Sequence, residues 1–118
     1  MKKYMLFLTG KLIKKYNIKG KFLDAGGGAG DVSLFLLKNW FKGKLIDFSK
    51  EAINEAKNKL SNYKNKIKIE NKAILNEKEK YDLILLWDVI EHIKDDNKVI
   101  KHCYKILNKN GYLLLSYV

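Results

Sequence analysis

The chain has 118 residues, 47% hydrophobic and 31% charged, with one cysteine, no proline and a formal net charge of +11. That length suits a single domain over residues 1–118, and the apolar fraction excludes a disordered chain. A lone thiol, Cys103, excludes an internal disulfide framework and a four-cysteine zinc site, and no run approaches the roughly 18 apolar residues of a membrane helix.

The start, Met1-Lys2-Lys3-Tyr4-Met5-Leu6-Phe7-Leu8, has the charged beginning and apolar core of a signal peptide. That core breaks at Thr9-Gly10-Lys11 and lacks a small-residue cleavage site, so it reads as a helix over 3–16 carrying Leu6, Leu8, Leu12, Ile13 and Tyr16. The expected location is the cytoplasm, with no membrane partner. All 24 cations are lysine and none is arginine, whereas nucleic-acid readers lean on arginine for bidentate contacts. A nucleic-acid substrate stays open on charge alone and is not favoured.

Lys21–Ala25 reads as a buried strand, closed by Gly26-Gly27-Gly28-Ala29-Gly30. A helix with Val32, Leu34, Phe35, Leu36 and Leu37 follows, and Trp40 and Phe41 are expected to pack at its end. Residues 44–48 read as a second strand, with Ser49 the N-cap of a helix over 50–60. Ile67 and Ile69 alternate in a third strand, and Tyr81–Trp87 is a fourth, apolar enough to be covered on both faces. A helix near 95–107 buries Val99, Ile100, Cys103, Ile106 and Leu107, with His102 at or near its surface. Asn110-Gly111 turns the chain into a fifth strand from Tyr112 to Val118. Alternating helix and strand predicts an α/β domain with a parallel sheet.

The chemistry concentrates at Asp24-Ala25-Gly26-Gly27-Gly28-Ala29-Gly30, between a strand and a helix. Glycines at 26, 28 and 30 let the backbone turn tightly beside a ligand, and the helix start offers free N–H groups. A dinucleotide G-x-G-x-x-G would need glycine at 31 or 33, where Asp31 and Ser33 stand. The G-x-G-x-G spacing after an acid points instead to a nucleoside carrying an amino acid, against a nicotinamide oxidoreductase. Asp47 ends the second strand, where a carboxylate accepts both ribose hydroxyls. An acid before an N-cap also suits a helix dipole, but its place after the glycine run favours the ribose role.

These pieces, with Tyr81-Asp82-Leu83-Ile84-Leu85-Leu86-Trp87-Asp88-Val89-Ile90-Glu91-His92-Ile93 and Ile106 to Ser116, resemble the class I S-adenosylmethionine-dependent methyltransferases. The resemblance implies a Rossmann-like three-layer α/β/α sandwich with parallel sheet order 3-2-1-4-5, truncated relative to the family's seven strands. It implies S-adenosylmethionine as cofactor and direct displacement onto a small molecule, with a hydroxyl as the expected acceptor. Gly26 and Gly28 would pass under the methionine part, and Asp47 would hold the ribose. Phe48 and Ala73 would flank the adenine, Trp87 would lie near the sulfonium, and Asp24 would fix the glycine loop or the amino group.

Two departures from that pattern stand out. Where the family usually places an acid before a small residue, to accept from the adenine amino group, this chain has Lys72-Ala73. Lysine has no acceptor, which leaves Asn71 as the expected replacement. The chain also stops in the fifth strand, which implies a bare edge at Val118 open to a homodimer or a partner chain. A cofactor-binding remnant without catalysis, or a subunit completed by a partner, is therefore the alternative function.

Asp88, Glu91 and His92 follow the fourth strand at i, i+3, i+4 and would share one helical face. They resemble the acid-x-x-Glu-His segment of metal-assisted O-methyltransferases acting on ubiquinone precursors or on the terminal ribose of small RNAs. Mg²⁺ on this trio, or His92 alone as a base, would activate a hydroxyl. A capping box from Asp88 to Glu91 explains the same acids without a metal. The RNA 2'-O-methyltransferase version is the second alternative, weakened because His102 is badly placed to join such a metal.

Overall fold

The computed structural model describes residues 2–87 and 96–116. Helix α1 (Lys2–Tyr16) leads into strand β1 (Lys21–Ala25), helix α2 (Asp31–Lys38) and strand β2 (Lys42–Asp47). Helix α3 (Lys50–Lys59), strand β3 (Ile67–Asn71), strand β4 (Tyr81–Leu86), helix α4 (Asp96–Ile106) and strand β5 (Leu107–Leu115) follow in order among the described residues. Single 3₁₀ turns occupy Ser61–Tyr63 and Ile74–Asn76. Every strand pairing is parallel, in the order β3-β2-β1-β4-β5. Sheet order and three-layer architecture both match the expectation from the sequence.

A parallel sheet must bury both faces, and alternation along the strands supplies two apolar surfaces. Phe22, Leu45, Leu83 and Leu85 face a cluster with Leu36 and Leu37 of α2, Ile53 and Ala56 of α3, and the inner side of α1. Leu23, Ala25, Ile46, Ile84 and Leu86 face the opposite cluster with Val99, Cys103 and Ile106 of α4. Cys103 is fully buried there, and burial pushes its thiol up to about 11, which leaves it an unreactive core residue.

Local chemistry sets the element ends. Ser49 caps α3, its Oγ accepting from the Ala52 N–H at 3.1 Å. Helix α2 stops at Lys38, and Trp40 takes a left-handed φ of 73°. That turn sends Phe41 inward, edge-on to Phe22, and leaves the Trp40 ring 91% exposed. Only Phe41 of the expected pair therefore packs.

The fifth strand begins at Leu107, earlier than expected. Leu107 pairs with Tyr81, whereas the next pair is Tyr112 with Leu83, so residues 108–111 bulge against Asp82 alone. Asp82 holds that bulge by accepting from Asn108 Nδ2 at 3.0 Å, and Asn110 takes a φ of 67°. The expected Asn110-Gly111 turn thus sits inside the strand as an irregularity.

After β3 the chain returns to the other side of β1, so the sheet order reverses between β1 and β4. In open α/β sheets the crevice at such a reversal, beyond the carboxyl ends of the strands, is where ligands bind.

Candidate functional site

The glycine loop leaves β1 at Ala25 and lies on the end of β2, with the Gly26 N–H donating to Ile46 O at 2.8 Å. Gly26, Gly28 and Gly30 all have positive φ, at 70°, 58° and 96°. A side chain at Gly27 would meet the Asp24 carboxyl and Leu45 within 2.8 Å, whereas one at Gly28 would point into open space. The loop therefore packs tightly downward and offers bare backbone upward.

Two carboxylates brace it. Asp24, 3% exposed, accepts from Ser33 Oγ at 2.7 Å, which ties the end of β1 to the first turn of α2. Burial, reinforced by Asp47 and Asp31 and opposed by Ser33, pushes its carboxyl up to about 6. Asp47 Oδ2 accepts from the Gly28 N–H at 2.8 Å and Oδ1 from the Ser49 N–H at 2.9 Å. Its carboxylate thus spans the loop and the start of α3. Asp31, at the mouth of α2, pairs with Lys59 at 2.6 Å.

Beside Asp47 opens a cavity of about 150 Å³. Ala25, Gly26 and Ile46 form its floor, Asp47 and Phe48 one lip, Lys72 to Leu75 the facing wall, and Val99 of α4 closes it. An apolar cavity of that volume takes up a benzene-sized ring, and this one opens at the lip where a larger ring system would extend. Phe48 is 78% exposed at the rim. Apolar walls beside an anchored carboxylate suit a flat heterocycle joined to a polyhydroxyl group.

The facing wall is held by a buried ionic cluster that sequence reasoning missed. Glu77, fully buried, accepts from Lys72 Nζ at 2.8 Å, from the Tyr81 hydroxyl and from Lys44. Lys44, 3% exposed, also meets Glu70 at 2.8 Å and Glu79. Burial would raise the Glu77 carboxyl, but Lys72, Tyr81 and Lys44 outweigh it and hold it below the usual range. Burial would likewise lower Lys44, and its three carboxylate partners reverse that. Burial and the Glu77 carboxylate push the Tyr81 phenol well up. His102 Nε2 lies 2.7 Å from Glu77 O and links α4 to the same segment.

The expected residues fall unevenly around this site. Asp24, Gly26, Gly28, Asp47, Phe48 and Ala73 converge on the loop and cavity. Trp87 does not line the cavity. It shares a face with Leu83 and Leu85, is only 8% exposed, and donates its indole N–H to Thr9 Oγ at 2.9 Å. Its ring joins the end of β4 to α1. Asn71 is committed elsewhere, its amide donating to Asp47 O and Phe48 O at 2.8 Å each. Asp88, Glu91 and His92 lie outside the described residues, and among the described residues no cluster of three or more His, Cys, Asp and Glu could hold a metal. Ile46, Ile74, Leu75 and Val99 were read from sequence as core or not at all. The available signal was their apolar character, Ile46 near the end of β2, Ile74 and Leu75 in the turn after β3 and Val99 on α4.

Residues 2–118 match the family model described as "Methyltransferase domain". The chain belongs to the methyltransferase domain family. The ubiquinone biosynthesis O-methyltransferase of Pelagibacter ubique is 32% identical over 122 residues, covering 93% of this chain and 50% of that protein. An S-adenosylmethionine-dependent methyltransferase from Clostridium acetobutylicum superposes with a TM-score of 0.81 at 22% identity, covering 93% of this chain and 48% of that one. Magnesium protoporphyrin IX methyltransferase from Synechocystis, solved with bound S-adenosylhomocysteine, gives 0.79 at 21% identity, covering 91% and 52%. These likenesses place the methyltransferase domain in the class I fold. The chain spans about half the length of the curated relatives it matches.

Proposed function

We propose that this methyltransferase domain binds S-adenosylmethionine and serves methyl transfer to the hydroxyl of a small molecule. The observation that carries the reading is Asp47, anchored on the Gly28 N–H beside an apolar cavity at the sheet's switch point. The residues fit the cofactor. Gly26 and Gly28 offer bare backbone to the methionine part, Asp47 accepts from the ribose hydroxyls, and Ala73 with Phe48 flanks the adenine. Asp24 acts through Ser33 by fixing the loop, and Trp87 acts through Thr9 by seating α1. Lys72 offers no acceptor to an adenine amino group, and its ammonium is spent on Glu77.

The chemistry supplied by the bound cofactor is an electrophilic methyl group on a sulfonium. The chain's own part is alignment and exclusion of water. A hydroxyl acceptor follows the O-methyltransferase names of relatives such as the Pelagibacter protein. No step is assigned to His92 or to Mg²⁺ on Asp88, Glu91 and His92. The partner reading rests on β5, a half-buried strand at the end of the sheet.

Titration calorimetry of the chain with S-adenosylhomocysteine, with NAD as the control, tests this. The expected result is binding of the former only, weakened at least about tenfold by Asp47→Ala, the order lost with charge-assisted hydrogen bonds. Binding of NAD, or of neither, overturns the cofactor reading.

A further inference from the structure

The outer face of α1 follows a different logic from the cofactor site. At 3.6 residues per turn, Lys3, Tyr4, Phe7, Lys11, Lys14 and Lys15 fall within an arc of about 120°, along about 18 Å of helix. All six are exposed, Tyr4 to 63% and Phe7 to 60%. The opposite side is committed to the fold, with Met5, Leu8 and Ile13 packed on the core and Thr9 buried under Trp87. No acidic residue occurs before Asp24, whereas lysines stand at 2, 3, 11, 14, 15, 19 and 21. Lys11 Nζ lies 5.3 Å from the Phe7 ring centroid, so cation and aromatic share one patch.

We propose that this face of α1 seats the domain on an anionic lipid surface. An interfacial helix needs lysines reaching toward head groups around aromatic side chains that enter the head-group boundary, and this stripe presents that arrangement. The patch is a convex rod, which suits a flat bilayer. Single-stranded nucleic acid is held instead in a basic groove with stacking platforms and arginine, and the chain has no arginine. No helix among the described residues is long and apolar enough to cross a membrane. The expectation of no membrane partner rested on the same absence of a spanning run, and peripheral seating requires none.

Co-sedimentation of the chain with vesicles tests the proposal. Phosphatidylglycerol-containing vesicles are expected to carry the protein down, and phosphatidylcholine vesicles are not. The pair Lys11→Glu, Lys14→Glu should weaken binding more than about tenfold, because each reverses a charge that faces the anionic surface. The pair Lys57→Glu, Lys64→Glu makes the same charge change on α3 and the loop after it, and should weaken binding less than about threefold. Phe7→Ser should weaken binding at unchanged charge, and melting by circular dichroism verifies that each variant is folded. Equal losses from the two lysine pairs would reduce the effect to net charge and overturn the proposal. So would no sedimentation, or release from vesicles by a single-stranded RNA oligonucleotide at matched charge. None of these readouts depends on cofactor binding.

Discussion

Asp24 shows how a loop that must stay open is held from beneath. Its carboxyl is buried against Gly27 and Ser33 and is pushed from an ordinary value of 3.8 up to about 6. A carboxyl whose folded value is raised binds more protons in the native state, so its contribution to stability is full below about pH 4 and is lost as pH rises through 6. Asp24→Asn keeps an acceptor for Ser33 and removes the buried charge. The variant is expected to be more stable than the parent by about 1–3 kcal/mol at pH 7, with the difference shrinking toward zero near pH 4. Urea denaturation of both proteins at the two pH values checks this. A constant difference would mean that Asp24 does not titrate in that window. Glu77 and Glu79, both held low by lysines, lose stability in the opposite direction as pH falls, and both proteins share that loss.

The cavity wall at 72–75 is short and irregular, and it is placed by what lies behind it. Lys72 and Glu77 form an ion pair across the turn, and Lys44 and Tyr81 bind the same carboxylate from β2 and β4. Removing one member of a buried ionic group leaves the others desolvated and unpaired. Glu77→Ala is expected to cost about 3 kcal/mol, at the low end for such a break because Lys44 keeps Glu70 and Glu79. Affinity for S-adenosylhomocysteine should also fall, although Glu77 does not line the cavity. Denaturation and calorimetry on the same variant separate the two effects, and full stability would mean that the cluster is dispensable. This cluster was not legible in the sequence. With 31% charged residues, nothing marks Lys44 and Glu77 as the buried ones, and their pairing joins residues 33 apart. The glycine loop was legible because each of its requirements is local: positive φ, a helix start, an acid before it. The contact that Trp87 makes was not legible for the complementary reason. An aromatic at a strand end is visible in sequence, but the face it takes depends on strand parity and on a hydroxyl 78 residues away.

At the scale of the whole molecule the fold was legible because helices separate all the described strands but β3 and β4, and a pattern so close to alternation admits few topologies. The start of β5 was not, since the bulge against Asp82 depends on a cross-strand contact with Asn108. Charge acts on the whole molecule in two opposed ways. The cluster around Lys44 and Glu77 is attractive, buried and little affected by salt, whereas 24 lysines against 13 acids make the surface self-repelling. Salt reaches the surface and not the interior, so screening removes mainly repulsion. The melting temperature is therefore expected to rise by a few degrees between low salt and about 0.15 M, where the Debye length is about 8 Å, because about 1 kcal/mol moves a domain of this size by several degrees. Scanning calorimetry in a salt series at pH 7 measures it. A fall instead would mean that exposed pairs such as Lys59–Asp31 and Lys21–Glu79 outweigh the net repulsion, and the surface would then have to be read as a set of attractive contacts.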